Sequence, residues 1–218
     1  MVKSSEGRVD IVSELRPLDT LKVAQSPFAT VVKTRGSLGS VFGRFNMLKV
    51  DSPWRDVRLR QVVNLAINRE DLIRYATKGN GVIIPALLPE QAFGYNPDLV
   101  SYTFDPDQAR ALLQEAGYAE GLSVNLIASP DLEVQATVIG KILEQVGLQV
   151  KQESLDPADY NRRAQLSHLE KPAEEQTWDI ALIAWNFPAN VPVLEPYHVQ
   201  QFPLMTYASY TTYVGGVS

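Results

Sequence analysis

The chain contains no cysteine. That excludes disulfide staples, thiolate catalysis and Cys-ligated zinc. Charge of one sign is also scarce: 20 Lys and Arg stand against 25 Asp and Glu, a formal net charge of −5. The basic residues are scattered rather than striped, so nothing marks a nucleic-acid surface. No apolar run approaches the ~18 residues that a membrane helix needs. The first ten residues, MVKSSEGRVD, hold one lysine and no apolar segment, so they lack the pattern of a signal peptide. Histidine occurs twice, at His168 and His198, and no serine, carboxylate or second histidine stands at catalytic spacing from His168. No pair of carboxylates stands out as an acid–base couple. GSLGS lacks the Lys-Ser/Thr that completes a phosphate loop. An enzyme therefore has no supporting constellation, and no cofactor or metal is implied.

What is present is an ordinary globular composition. Hydrophobic residues make up 45% of 218, enough for one large domain or two small ones. Val9–Val12 and Phe28–Thr34 read as short strands, and Val41–Leu48 as a third. Leu59, Val62, Val63, Ala66 and Ile67 then form one helical stripe. Asn68 interrupts the stripe and caps a second helix through Leu72, Ile73 and Ala76, which ends at Gly79. Arg58, Arg60 and Arg69 are expected on the solvated face, paired with Asp56 or Glu70. From Gly79 to Thr103 the chain reads as irregular. Asp105-Pro106 opens a helix whose buried face is Ala109, Leu112, Leu113 and Ala116, and Gly117 stops it.

The remainder alternates. Leu122–Ala128 is a strand, Leu132–Val146 a helix closed by Gly147, and Leu148–Ser154 a strand. Asp156-Pro157 starts a helix running to about His168. Asp179–Trp185, DIALIAW, is nearly continuous in apolar residues, as expected of a strand covered on both faces. Strand, helix, strand, helix, strand predicts an α/β layer with a sheet flanked by helices.

Ligands of open α/β sheets bind outside the carboxyl ends of the strands. Three loops qualify: Ser129-Pro130-Asp131, Leu155-Asp156-Pro157, and Trp185 to Pro192. The candidate ligand-binding residues are Ser129, Asp131, Trp185, Asn186, Phe187 and Asn190. Aromatic faces beside amide donors and acceptors suit a polar organic solute or a peptide backbone. The alternative is a plain loop whose tryptophan caps the core.

Several segments carry a resemblance. The run from Phe45 to Gly79 has Phe45, Asn46, Pro53, Asp56, Val57, Arg58, Arg60, Gln61, Ala66, Ile67, Arg69 and Glu70 in order. DPDQARALLQEAGYAEG, ILEQVGLQVKQESLDPADY and WDIALIAW follow it. Together they resemble the extracytoplasmic solute-binding proteins of ABC importers, family 5, the peptide- and nickel-binding type. The resemblance implies one lobe of a type II periplasmic-binding-protein fold, with a mixed sheet. Because that family runs to roughly twice this length, a size at which cores split, residues 1–218 are expected to be its second lobe alone, an excised piece rather than a processed chain. Residues near Val9 and near Tyr213 are then expected to lie close together at a hinge.

The implied function is binding of a peptide or similar small polar solute in a cleft closed by a second lobe. The implied partner is a membrane ABC permease, the implied location periplasmic or cell-surface, and no nucleic acid is involved. A ligand-sensing module of a transcriptional regulator is the alternative. Peptide receptors of this type often carry an Asp in the loop after the Trp185 strand. Here Pro188 stands near that place, and no Asp or Glu occurs between Trp185 and Leu194. A solute without a required cation fits better. Nickel-type receptors can use a histidine near the position of His198, which leaves a metal-chelate role conceivable there.

Overall fold

Apolar residues on both sides of one strand decide the architecture. In the computed structural model, which describes residues 10–12, 15, 17–32, 39–47, 51–85, 90, 95–165, 177–186 and 216–217, that strand is β5, Ile180–Asn186. Its Ile180 and Leu182 enter one apolar cluster and its Ala181 and Ile183 another. Alternate side chains of a strand leave on opposite faces, so a run of this kind needs cover on both.

The elements in chain order are α1 (Pro17–Ala24), β1 (Gly39–Phe45), α2 (Val57–Ala66), α3 (Arg69–Ala76), β2 (Ile83–Ile84), α4 (Pro106–Glu115), β3 (Leu122–Ala128), α5 (Glu133–Gln145), β4 (Leu148–Ser154), α6 (Pro157–Tyr160), β5 and β6 (Gly216–Val217). They build one sheet in the order β2-β6-β1-β5-β3-β4. Strands β3, β4 and β5 run parallel. Strand β1 is antiparallel to β5, with Arg44 opposite Ala181 and Ser40 opposite Trp185. Strands β6 and β2 extend the antiparallel side. The expected mixed sheet flanked by helices is therefore found.

Local chemistry explains the helix limits. Asn68 accepts hydrogen bonds from the backbone N–H groups of Glu70 and Asp71, which start α3. Asp105 accepts from the N–H of Gln108, and Pro106 fills the first helical position of α4. Asp156 caps α6 through the N–H groups of Ala158 and Asp159. Left-handed glycines follow α4 and α5 at Gly117 (φ 92°) and Gly147 (φ 102°). After α3 the left-handed turn begins one residue earlier than Gly79, at Lys78 (φ 54°). Helix α5 is preceded by a 3₁₀ turn at Pro130–Leu132, so its start falls at Glu133 rather than Leu132. Helix α6 passes into a π-helical turn, Asn161–Gln165; the expected continuation to His168 lies outside the described residues.

The first face of the sheet packs on the helices. Leu59, Val62, Val63, Ala66 and Ile67 are all buried there with Ala109, Leu113, Ile139 and Leu143. The Phe45-Asn46 pair anchors the layer. Phe45 packs on Trp54 with ring centroids 4.8 Å apart. Asn46 donates from its side chain to the carbonyl of Trp178, and its carbonyl accepts from the Ser52 hydroxyl. The second face carries Phe42, Ile127, Tyr160, Ala164, Trp178, Ala181 and Ile183.

Two expected strands are not formed within their described residues. Asp10–Val12 has no strand structure, and Val9 lies outside the described residues. Phe28–Val32 is not a strand either. Ile11, Phe28 and Val32 are 81–87% exposed, so these apolar runs meet no sheet face, and β-branched residues gain little from extension without one. Helix α1 lies between them, opened by Pro17. The expected approach of Val9 to Tyr213 falls outside the described residues.

Candidate functional site

The carboxyl ends of β3, β4 and β5 point to one edge of the sheet, because the three strands are parallel. Their loops meet there. The N–H of Leu155, after β4, donates to the carbonyl of Ala128 at the end of β3. Ser129 follows Ala128 half-buried, and its carbonyl accepts from the N–H of Leu132. The Ser129 side chain makes no capping bond, so its hydroxyl is not committed to the turn. Asp131 is exposed on the same turn. Asp156 is different: its carboxylate already accepts two N–H groups at the start of α6, at 2.9 and 3.0 Å. It is a helix cap rather than a ligand group.

Strand β5 outruns its neighbour. Ile127 is level with Ala181, so Ala128 is level with Leu182. Trp185 and Asn186 thus stand three and four residues further on, about 10–13 Å along the strand. Among the described strands, only β1 accompanies them, with Ser40 opposite Trp185 and Gly39 opposite Asn186. The β1–β5 pair forms a ledge beside the lower Ser129–Asp131 and Leu155–Pro157 loops. Of the six candidate residues, the structure brings Ser129, Asp131, Trp185 and Asn186 to this edge. Phe187 and Asn190 lie outside the described residues, as do His168 and His198.

No cluster of three or more His, Asp or Glu residues able to hold a metal ion occurs among the described residues. No described helix is long and apolar enough to cross a membrane.

The arginines depart from expectation. Arg58 does pair with Asp56, at 2.6 Å. Hydrogen bonding from Arg58 holds the Asp56 carboxyl below its ordinary value. Arg60 and Arg69, expected in solvent, are each only 6% exposed. Arg60 donates to the carbonyls of Trp54 and Arg55. Arg69 donates to the carbonyls of Asn64, Ile67 and Tyr102 and to the Asn64 side chain. Chain ends of helices leave carbonyls without partners, and a guanidinium with five donors can satisfy several at once.

Arg44 is a further buried arginine that charge counting does not reveal. A pattern signal exists: in SVFGRF it shares strand parity with Phe42, so it shares that residue's face. Its guanidinium lies over the Trp178 ring, 5.2 Å from the centroid. Tyr160, beside it, donates its hydroxyl to the carbonyl of Leu182 at 2.5 Å, and burial pushes that phenol far above its ordinary value.

Comparison with known proteins gives a consistent picture. Residues 1–198 match the model of "Bacterial extracellular solute-binding proteins, family 5 Middle". The chain is similar to the dipeptide-binding protein of Escherichia coli K12, 30% identical over 182 residues, 80% of this chain and 32% of that protein. It is also similar to heme-binding protein A of Haemophilus influenzae, 26% identical over 174 residues, 77% and 31% of the two chains. Among solved structures, the periplasmic binding protein DppA of Helicobacter pylori, in complex with the peptide STSA, superposes with a TM-score of 0.76. The two share 22% identity, over 88% of this chain and 36% of that one. The chain spans about a third of the length of the curated relatives it matches.

Proposed function

Since the chain belongs to the bacterial extracellular solute-binding proteins of family 5, we propose that it forms the second lobe of a two-lobed receptor that delivers a small polar solute to an ABC permease. The observation that carries this reading is the shared edge of β3, β4 and β5. There a serine whose hydroxyl caps no turn, Ser129, and the backbone ledge of Trp185 and Asn186 share one margin of the sheet. A second lobe closing over that margin about a hinge would expel water and strengthen each polar contact to the solute. The receptor does no covalent chemistry; its work is capture, closure and presentation outside the cytoplasm.

The solute class follows from the similar proteins and from the ledge. Dipeptide binding is named for the relative in Escherichia coli, and a peptide sits in the Helicobacter pylori structure. A peptide or peptide-like solute held at this edge would offer amide groups suited to the candidates Ser129, Asn186 and Asn190, and an apolar side chain suited to Trp185 and Phe187. The loop from Trp185 to Leu194 has no carboxylate, so a free amine of the solute gains no ion pair there.

The test is the Trp185→Ala/Asn190→Ala double variant in the full-length receptor, titrated with its solute by calorimetry. At least a tenfold loss of affinity is expected. Unchanged affinity would remove this edge from the site.

A further inference from the structure

Asn80 is followed by glycine, and no other Asn-Gly pair occurs in the chain. The pair lies in the connection between α3 and β2, where residues 80–82 belong to neither helix nor strand. Lys78, Gly79, Val82 and Ile83 around it are exposed, and Asn80 and Gly81 are partly exposed. Among the described residues the Gly81 N–H makes no hydrogen bond. The Asn80 amide faces the end of α3: its Nδ2 donates to the carbonyl of Thr77 at 2.9 Å. The Asn80 backbone N–H donates to the same carbonyl at 3.0 Å.

We infer that Asn80-Gly81 is a self-modification site, where Asn80 becomes aspartate and isoaspartate through a cyclic imide, and that the change loosens the junction of α3 with β2. The Gly81 backbone nitrogen gives its proton to solvent base and attacks Cγ of Asn80. An N–Cγ bond forms, the Cγ–Nδ2 bond breaks, and the amide leaves as ammonia. Water then opens the ring. Opening at Cγ gives aspartate. Opening at the main-chain carbonyl leaves the chain running through the former side chain, which is isoaspartate. Nothing is oxidised or reduced, and water is the co-reactant. Glycine suits the attack because no Cβ crowds its nitrogen and its backbone turns freely.

The other asparagines are guarded. Asn46 and Asn64 are 1% and 2% exposed. Asn64 and Asn125 lie inside α2 and β3, whose ladders engage the N–H groups that follow. Asn68 spends its side chain on capping α3. Asn96 precedes Pro97, whose nitrogen carries no hydrogen. Asn161 opens a π-helical turn. Asn186 and Asn190 precede the bulky Phe187 and Val191.

The structural effect runs through Thr77, the residue that ends α3. Conversion replaces the donor at its carbonyl with a carboxylate, and negative charge is unfavourable at a helix C-terminus. Isoaspartate also adds a methylene to the main chain just before β2. That strand is two residues long and pairs with β6 through Ile83 and Ile84, and Ile84 is buried. A shifted entry therefore disturbs the whole strand. β2 stands at the far end of the sheet from β3 and β4, so the modification stands whether or not the solute reading holds.

The test incubates the 218-residue chain at mildly alkaline pH, folded and in urea, and maps its tryptic peptides by mass. The peptide Gly79–Arg110 is expected to gain the NH₂-to-OH mass difference at Asn80, as two products, one with the backbone cleavage ions of isoaspartate. The folded chain should react within about tenfold of the urea sample, since a connection of this kind opens at little cost. Gly81→Ala should slow the reaction about tenfold. Asn80→Asp should lower the urea midpoint and speed amide exchange at Ile83 and Ile84. An inert Asn80 in the folded chain, an earlier gain at another asparagine, or a rate indifferent to Gly81→Ala overturns the site. Wild-type midpoint and exchange in Asn80→Asp overturn the loosening of the junction.

Discussion

The Asp179 carboxylate accepts the backbone N–H of Asn125 at 2.8 Å, while the N–H of Asp179 donates to the carbonyl of the same Asn125 at 2.9 Å. This exchange sits at the amino-terminal end of β5 and joins it to β3 just before the ladder begins. The second carboxylate oxygen accepts from the Trp54 indole at 3.4 Å. One side chain therefore ties β3, β5 and the turn before α2. Asp179→Ala leaves two donors without an acceptor, and a loss of about 1–3 kcal/mol is expected in urea unfolding. Asp179→Asn keeps one acceptor and should lose less. Equal stability of wild type and Asp179→Ala would show that water replaces the carboxylate without cost.

Two glycines separate backbone strain from crowding. Gly79 has φ 79°, and a methyl group added there would meet nothing within 4 Å, whereas at Gly121 (φ 99°) that methyl would sit 2.7 Å from the Gly147 carbonyl. Gly79→Ala is expected to cost about 1 kcal/mol, the penalty of the left-handed backbone alone. Gly121→Ala should cost at least twice as much, because the carbonyl it strikes belongs to the turn that starts β4. Urea midpoints of the two variants in parallel decide it; equal losses would mean the Gly147 turn yields freely.

Glu153 predicts a pH dependence. Its carboxylate meets Arg163 at 2.7 Å and Lys151 at 3.4 Å. The hydrogen bond from Arg163 is the main cause that holds its pKa below the ordinary value. A depressed native pKa means the unfolded chain binds the proton more readily. The stabilisation is therefore complete above the unfolded value of about 4.3 and is lost as pH falls through the lower native value. Glu153→Gln should be less stable than wild type by about 1 kcal/mol at pH 7. The gap should close below about pH 4. A gap that stays constant down to about pH 2.5, well below the ordinary carboxylate range, would assign the effect to packing.

Much of the fold was legible because the relevant interactions are short in sequence. Strands Leu122–Ala128 and Leu148–Ser154 have the expected limits, since left-handed glycines and capping side chains mark their neighbours. The edge that gathers Ser129, Asp131, Trp185 and Asn186 follows from the order of strands and helices. The strand expected at Phe28–Thr34 shows the limit of that reading. Val31 and Val32 favour extension only where a sheet face receives them, and none does within the described part, Phe28–Val32. The arginines show it again. Arg60 and Arg69 sit in a helix pattern that ordinarily belongs to solvent, yet the carbonyls they satisfy include that of Tyr102, 33 residues from Arg69.

Sequence alone determined where α3, α4 and α6 begin, because a cap needs only a side chain and an N–H two or three residues away. It also determined that β5 is covered on both faces, because an unbroken apolar run has no other stable place. Tertiary structure alone decided that β1 lies antiparallel against β5, that Asn46 reaches Trp178 across 132 residues, and that Arg44 is buried over an indole with no carboxylate among the described residues to meet it. Those outcomes depend on which distant groups share a face after the sheet assembles. The desolvation of a charge is a property of everything that surrounds it, which no local pattern records.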